Sequence, residues 1–164
     1  MAEKQKEKLI KKILVALDGS KPSDNALDLA LDLAEKYSAE ILLLRVVPTA
    51  FYPYFIAPEA FPRAFPFVIP PAVINSSARE LEAGSEGVLS EALKKAEKVK
   101  SKSNVSTKLV TGRIAEKIIQ TAKEGNVDIV VMGSRGLSGI KKFFLGSFSD
   151  KVADEAPCPV LIVK

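Results

Sequence analysis

Histidine is absent from this chain of 164 residues, and cysteine occurs once, at Cys158. The absence of histidine excludes Ser–His–Asp triads, histidine general bases and most zinc sites. A single cysteine excludes an intramolecular disulfide, which fits a reducing cytosol. No apolar run approaches the roughly 20 residues that a membrane helix needs, and the charged start shows no signal peptide. These absences predict a cytoplasmic protein that is not embedded in a membrane.

The net charge is only mildly basic, at +4. Much of the excess lies near the start of the chain, at Lys4, Lys6, Lys8, Lys11 and Lys12. We interpret this cluster as a solvated leading segment and not as a nucleic-acid-binding arm, because no basic stripe with interleaved aromatic residues occurs elsewhere. The length suits a single domain over residues 1–164, and 47% hydrophobic residues are enough to bury a core.

Short apolar runs alternate along the chain with segments of helical periodicity. Continuous runs such as Ile13–Leu17 predict strands that are buried on both faces of a sheet. Residues such as Leu27, Ala30, Leu31 and Ala34 recur at helical spacing instead. The predicted strands are Leu9–Leu17, Ile41–Val47, Val105–Val110, Asp128–Met132 and Pro159–Val163, and the predicted helices are Ser23–Tyr37, Ser77–Val99, Gly112–Lys123 and Ser147–Glu155.

This alternation predicts an α/β fold with a five-stranded parallel sheet and helices on both faces. Right-handed crossovers leave few topologies, of which we favour the strand order 3-2-1-4-5. In that order the first and fourth strands lie side by side while their connections diverge, and ligands bind at this switch point. We therefore expect Asp18, which follows the first strand, to meet Gly133, which follows the fourth.

A segment rich in proline and phenylalanine follows the second predicted strand. It spans Phe51–Pro71, inside a predicted insertion at about 48–76. Proline at this density blocks helices and sheet interiors, which predicts an irregular excursion with exposed aromatic residues. A packed local cap, a partner surface, a dimer clasp and a lid over a pocket are the alternative interpretations.

The motif that points to a chemistry follows the fourth predicted strand. Gly133 and Gly136 are followed, after nine residues, by Gly146 and Ser147. Glycines leave the backbone unobstructed and adopt positive φ readily. A helix that begins at Ser147 would aim unpaired N–H groups and its positive dipole end at an anion, with hydroxyl donors from Ser147 and Ser149. The pattern predicts a phosphate site, and the alternative is that these residues only shape turns and cap the helix.

Two charged residues beside this motif have competing interpretations. Asp18 can bond a ribose hydroxyl or an adenine edge, or help to hold a metal, but it can equally form an Asx-type turn with Gly19. Arg135 can pair with a phosphate as a planar donor fork, but it can equally be a solvated side chain or part of a surface ion pair. Cys158, between two prolines, is interpreted as a small packed residue.

Together these motifs resemble the universal stress protein family, and within it the branch that binds ATP. The resemblance rests on Ile13–Ser20, on the glycine motif and on Cys158–Val163, so it covers nearly the whole chain. It implies a Rossmann-like domain of the adenine nucleotide alpha hydrolase-like type, which binds ATP or AMP, often with Mg²⁺ or Mn²⁺ through the phosphates. It also implies a homodimer in which the last strands, here Val160–Val163, pair across a two-fold axis.

The resemblance also assigns individual residues to the ligand. Asp18 would contact the adenosine part, and the backbone of Val46 would read the adenine edge. The phosphates would be held by Gly133, Gly136, Gly146, Ser147 and Ser149, and the remaining predicted binding residues are Ala16, Leu17, Met132, Arg135 and Phe148. Arg135 stands where relatives often carry histidine, and the segment rich in proline and phenylalanine matches no part of the family pattern.

These features predict an adenine-nucleotide-binding regulatory protein of the cytosolic stress response, with no catalytic residue assigned and an unknown protein partner. One alternative is a slow ATP hydrolase that depends on Mg²⁺ or Mn²⁺. A second is an interaction module that docks its partner through Phe51–Phe67, independently of nucleotide. A flavin-binding electron carrier is a third, because the fold class permits it.

Overall fold

The computed structural model describes residues 9–48, 71–99, 104–134 and 146–164. Strands and helices alternate along these ranges. The strands are β1 (Lys12–Leu17), β2 (Glu40–Pro48), β3 (Val105–Gly112), β4 (Ile129–Gly133) and β5 (Val160–Val163). The helices are α1 (Lys21–Tyr37), α2 (Pro71–Lys98), α3 (Ile114–Glu124) and α4 (Ser147–Glu155).

The described strands form one parallel sheet in the order β3-β2-β1-β4-β5. The predicted strand order and the predicted α/β fold are therefore confirmed. β1 lies between β2 and β4, and its residues 13–16 are in register with residues 129–132 of β4. The carboxyl ends of β1 and β4 consequently lie side by side, at the end of the sheet where its parallel strands terminate.

Side chains alternate between the two faces of the sheet and form two separate apolar clusters. Val15 of β1 belongs to a cluster with residues of α1 and α2, among them Leu27 and Leu89. Its neighbour Leu14 belongs to a cluster on the other face, with residues of α3 and α4 such as Ile118 and Val152. Consecutive buried residues are required of a central parallel strand, because helices cover both of its faces.

The start of α1 lies before the predicted Ser23 because Ser20 caps the helix. The Ser20 hydroxyl accepts a hydrogen bond from the Ser23 N–H at 3.3 Å. Pro22 lies in the first turn, where its missing N–H needs no intrahelical partner. The cap therefore fixes the loop between β1 and α1, which carries Asp18.

The start of α2 also lies earlier than predicted, at Pro71 instead of Ser77. Proline suits the first helical position, since its φ is already close to the helical value. The helix then runs through Gly84 and Gly87 to Lys98. Pro48 ends β2 and residues 71–76 belong to α2, so the part of the predicted insertion between them, residues 49–70, lies outside the described residues.

Several other boundaries differ from the predictions by small amounts. β1 begins at Lys12, and Leu9, which was predicted to start it, is exposed. Gly112 ends β3 and does not begin α3, and Gly133 extends β4 beyond the predicted Met132. β5 begins at Val160, one position after the predicted Pro159. The predicted bounds of α4 are confirmed.

Two ion pairs join α2 to α1. Lys95 lies 2.7 Å from Asp24 and 2.8 Å from Asp28. The hydrogen bond from Lys95 lowers the pKa of Asp24. Burial opposes the charge on Lys95, but its hydrogen bonds to the two carboxylates outweigh burial and raise the pKa of this amine. The carboxylates are half exposed, so each pair contributes about 0–1 kcal/mol to the packing of α2 on α1.

Gly133, the last residue of β4, lies against the first turn of α1. A Cβ atom at this position would be 2.8 Å from the Ser23 amide nitrogen and 2.9 Å from the Pro22 carbonyl carbon. Both are backbone atoms, which cannot move aside as the end of a side chain can. Gly84 of α2 contrasts with it, because a Cβ atom there would meet nothing within 4 Å.

We expect the same substitution to have opposite effects at these two glycines. Gly133→Ala should lower the free energy of unfolding by about 1–3 kcal/mol, because α1 must move away from β4. Gly84→Ala should raise the free energy of unfolding by about 0.5–1 kcal/mol, because alanine suits a helix interior better than glycine does. Urea denaturation of both variants beside the wild type measures this. Equal shifts at the two positions would contradict the packing argument.

Candidate functional site

A cavity of about 520 Å³ lies at the carboxyl ends of β1 and β4, within the roughly 300–1,000 Å³ that small-molecule sites occupy. The helices that follow these strands, α1 and α4, lie on opposite faces of the sheet, as expected at a switch point. All the predicted site residues that the structure describes line it: Ala16, Leu17, Asp18, Val46, Met132, Gly133, Gly146, Ser147, Phe148 and Ser149. The other two, Arg135 and Gly136, lie outside the described residues.

Asp18 forms the Asx-type turn that was one of its two interpretations, and it also faces the cavity. Its Oδ1 atom accepts a hydrogen bond from the Ser20 N–H at 2.9 Å, and its own N–H donates to the Ser23 hydroxyl at 3.2 Å. Gly19 has a φ of 83°, which this tight turn requires and which glycine adopts without strain. The turn uses one of the four lone-pair positions of an ionised carboxylate, so Asp18 keeps acceptor capacity for a ligand.

Gly133 lines the cavity with a φ that is not positive, so it does not use the left-handed conformation that glycine permits. The reason for a glycine here is the close approach of α1 described above. The backbone of the fourth strand and the first turn of α1 thus form one wall of the cavity. Ser23, a residue that is 3% exposed, belongs to this wall and was missed by the sequence analysis.

The first turn of α4 opens into the cavity without a side-chain cap. The N-cap is Gly146, with φ −62° and ψ 143°, and it has no side chain to satisfy the first amides of the helix. The Gly146 N–H donates to the Ser134 carbonyl at 2.9 Å, and the first intrahelical bond runs from the Asp150 N–H to the Gly146 carbonyl. The amides of residues 147–149 therefore have no acceptor within the helix, which is the arrangement that binds anions.

The two serines of this turn differ in their surroundings. Ser147 is exposed, and it is the first helical residue and not the cap. Ser149 is 3% exposed, and its hydroxyl donates to the Gly133 carbonyl at 2.9 Å. That hydrogen bond fastens α4 to the end of β4. It uses the hydroxyl proton of Ser149, so its backbone amide is the donor that it retains for a ligand.

The rest of the described lining is mainly apolar. Leu44, Val46, Ile114, Ile118 and Met132 extend across the floor of the cavity. Pairs of aliphatic side chains of this kind suit the flat apolar face of an aromatic ring, whereas the amides of α4 suit an anion. The cavity is thus lined by apolar side chains, by the unpaired amides of α4 and by Asp18.

Arg45 also lines the cavity, and the sequence analysis missed it. Unlike Ser23, it carries a charge. It lies in β2, and its signal was visible: a single arginine inside the apolar run Ile41–Val47. Its Nη1 atom donates to the Leu17 carbonyl at 3.2 Å, and its Nε atom donates to the Ser85 hydroxyl at 3.4 Å. Burial lowers the pKa of Arg45, and the charge of Asp18 opposes that shift.

Within the described ranges, neither a metal-binding cluster nor a membrane-spanning helix occurs. No three His, Cys, Asp or Glu side chains within them converge closely enough to hold a metal ion. None of the helices in these ranges is both long and apolar enough to cross a bilayer. Cys158 is half-buried beside the cluster of α3 and α4, and burial raises the pKa of its thiol, as a packed cysteine would show.

The chain is similar to proteins of one family in sequence and in structure. Residues 9–164 match the profile of the Universal stress protein family. Universal stress protein YxiE of Bacillus subtilis is 35% identical over 156 residues, which are 95% of this chain and all of that protein.

Solved structures share the fold over the same extent. Universal stress protein UspA from Lactobacillus plantarum superposes with a TM-score of 0.73 at 23% identity, over 94% of this chain and 98% of that one. A protein of the same family from Arabidopsis thaliana, solved with AMP bound, has a TM-score of 0.63 at 20% identity, over 94% of this chain and 91% of that one.

Proposed function

The chain belongs to the universal stress protein family, and from that premise we propose that it is an adenine-nucleotide-binding regulatory protein. The observation that carries the proposal is the uncapped first turn of α4, whose residues line the same cavity as Asp18. Amides and a helix dipole at one end, with a carboxylate at the other, complement a phosphate chain and a ribose.

The proposed ligand, ATP or AMP, has a part for each region of the cavity. Adenine would lie among the aliphatic side chains, with the backbone of Val46 at its polar edge. The ribose would lie beside Asp18. The phosphate oxygens would accept hydrogen bonds from the N–H groups of Ser147, Phe148 and Ser149. The AMP bound to the Arabidopsis relative, which has the same fold, supports this choice of ligand class.

A divalent cation, Mg²⁺ or Mn²⁺, would bind through the phosphates. The described lining offers a single carboxylate, Asp18, and no cluster of three acidic or histidine side chains occurs within the described ranges. The phosphate oxygens and water would therefore supply most of the ligands, as Mg²⁺ usually requires in nucleotide sites. The chemistry that the ion supplies is neutralisation of phosphate charge.

The first test is to identify the ligand that the purified protein carries. We expect denaturation of the protein, followed by mass spectrometry of the released small molecules, to yield ATP, ADP or AMP. Isothermal titration calorimetry of the emptied protein with each nucleotide then gives the affinities. Absence of any purine nucleotide, together with no heat of binding, would contradict the proposal. Released ADP with slow loss of added ATP would favour the hydrolase alternative.

Ser147 allows the amides of α4 to be tested separately from the hydroxyls. Ser147→Pro removes one N–H at the first helical position, where proline is favoured. The ψ of 143° at Gly146 is compatible with a following proline, so the helix should remain intact. We expect about a tenfold or greater loss of ATP affinity, because a hydrogen bond to a charged group is worth about 1.5–3 kcal/mol.

The matched control is Ser147→Ala, which keeps the N–H and removes the hydroxyl. Its ATP affinity should stay within about threefold of the wild type, measured in the same calorimeter, because an exposed neutral hydroxyl contributes less. Equal losses for the two variants would assign the phosphate contact to the hydroxyl. No loss for the proline variant would mean that the phosphates bind elsewhere.

We also infer a cytoplasmic homodimer that acts in the stress response and binds an unidentified protein partner. Among the described strands, β5 has one neighbour, β4, and so lies at an edge of the sheet. The carbonyls of Pro159 and Val163 accept hydrogen bonds from the N–H groups of Val130 in β4 and of Ser134 directly after it. Because partners alternate along a parallel strand, the N–H groups of Val160 and Ile162 face the free edge. An apolar edge of this kind favours pairing with a second copy.

Ile162→Pro tests the proposed dimer, since it removes an N–H from the free edge and keeps the bonds to β4. Proline is tolerated on edge strands, so the monomer should fold. We expect the variant to elute as a monomer and Ile162→Ala, which keeps the N–H, to elute as a dimer. Size-exclusion chromatography with light scattering measures both. A dimeric proline variant would place the interface on another surface.

A further inference from the structure

Arg45, which lines the cavity, connects three elements of the fold. It projects from β2, donates to the Leu17 carbonyl at the end of β1, and donates to the Ser85 hydroxyl of α2. Leu17 immediately precedes Asp18, and the charge of Asp18 acts on the Arg45 guanidinium. A single side chain therefore joins the loop that carries Asp18 to a helix on one face of the sheet.

The acceptor on α2 is placed for this contact. Ser85 is 3% exposed, so its hydroxyl is removed from water and needs a partner within the protein. Arg45 lies 3.4 Å away through its Nε atom. The flanking Gly84 and Glu86 are exposed, so Ser85 is the residue of this turn of α2 that points toward the sheet.

A half-buried arginine carries a desolvation cost that an apolar residue in β2 would avoid. Its planar guanidinium has five N–H donors in fixed directions, so it can serve two acceptors on different elements at once. Lysine has the same charge but lacks that geometry. The desolvation cost and the donor geometry together indicate a role that depends on the planar set of guanidinium N–H donors and not on positive charge alone.

We propose that Arg45 is a positioning residue, which holds the Asp18 loop in its ligand-facing conformation and makes that conformation depend on the packing of Ser85 and α2. The inference rests on the proposed nucleotide site and deepens it. It predicts that Arg45 acts on the ligand through Asp18 and not by direct contact. It also identifies α2 as the element through which occupancy of the cavity reaches the surface of the molecule.

Amide hydrogen exchange without nucleotide tests the positioning directly. In Arg45→Met, which keeps the aliphatic stem, the amides of Asp18 and Ser20 should exchange about tenfold or more faster than in the wild type, because the loop loses its anchor. Ser85→Ala should give a smaller increase in the same amides. Lys36→Met, which removes a positive charge at an exposed position of α1, serves as the charge control and should leave them unchanged.

A double-mutant cycle on ATP affinity tests the route through Asp18. We expect Arg45→Met to weaken binding about tenfold in the wild-type background and less than about twofold in an Asp18→Ala background. Arg45→Lys should recover little of the loss, because lysine lacks the fork. If the losses from Arg45→Met and Asp18→Ala multiply, Arg45 contacts the ligand itself and the proposal is overturned.

The two measurements keep this proposal separate from the proposed function. A wild-type protein that binds no nucleotide would overturn the nucleotide site, while the exchange rates would still report whether Arg45 holds the loop. Unchanged exchange at Asp18 and Ser20 in Arg45→Met would overturn the positioning role even if nucleotide binds. Circular dichroism and thermal unfolding establish whether each variant is folded. If Arg45→Met does not fold, the exchange rates of Ser85→Ala test the positioning role instead.

Discussion

Residues 13–16 of β1 and residues 129–132 of β4 lie in parallel register at the centre of the sheet, and the candidate site depends on that pairing. The two strands are far apart in the chain, and the helices that follow them, α1 and α4, lie on opposite faces of the sheet. Their carboxyl ends therefore leave a gap between them, with Asp18 on one side and Gly133 on the other. The loop between β1 and α1 and the first turn of α4 both line the cavity at these two strand ends.

The alternation of buried strands with amphipathic helices was enough to predict the strand order and the place of the cavity. Ile13, Leu14 and Val15 are consecutive and apolar, which only a strand covered on both faces requires. Element ends were harder, because they depend on caps and not on periodicity. Because Ser20 caps α1, that helix begins earlier than predicted. α2 also begins earlier, at Pro71, in a stretch whose prolines had suggested an irregular backbone.

Particular residues show why the site was only partly predictable. Gly133 was singled out as a glycine that frees the backbone for a ligand, and a Cβ atom there would also meet the backbone of Pro22 and Ser23, which no local pattern reveals. Ser149 was predicted as a hydroxyl donor, and its hydroxyl bonds Gly133 within the protein. Arg45 was missed, although a charge inside an apolar run is itself a signal that a polar partner is near.

The sheet keeps the two apolar clusters apart, with α1 and α2 on one side and α3 and α4 on the other. The cavity is the place where both layers are reached at once: Leu17 and Ser23 come from the first, and Ile118 and Met132 from the second. A molecule bound there would contact residues of both layers at once. Its binding free energy would favour the state in which the two layers are held together, so occupancy would raise the free energy of unfolding.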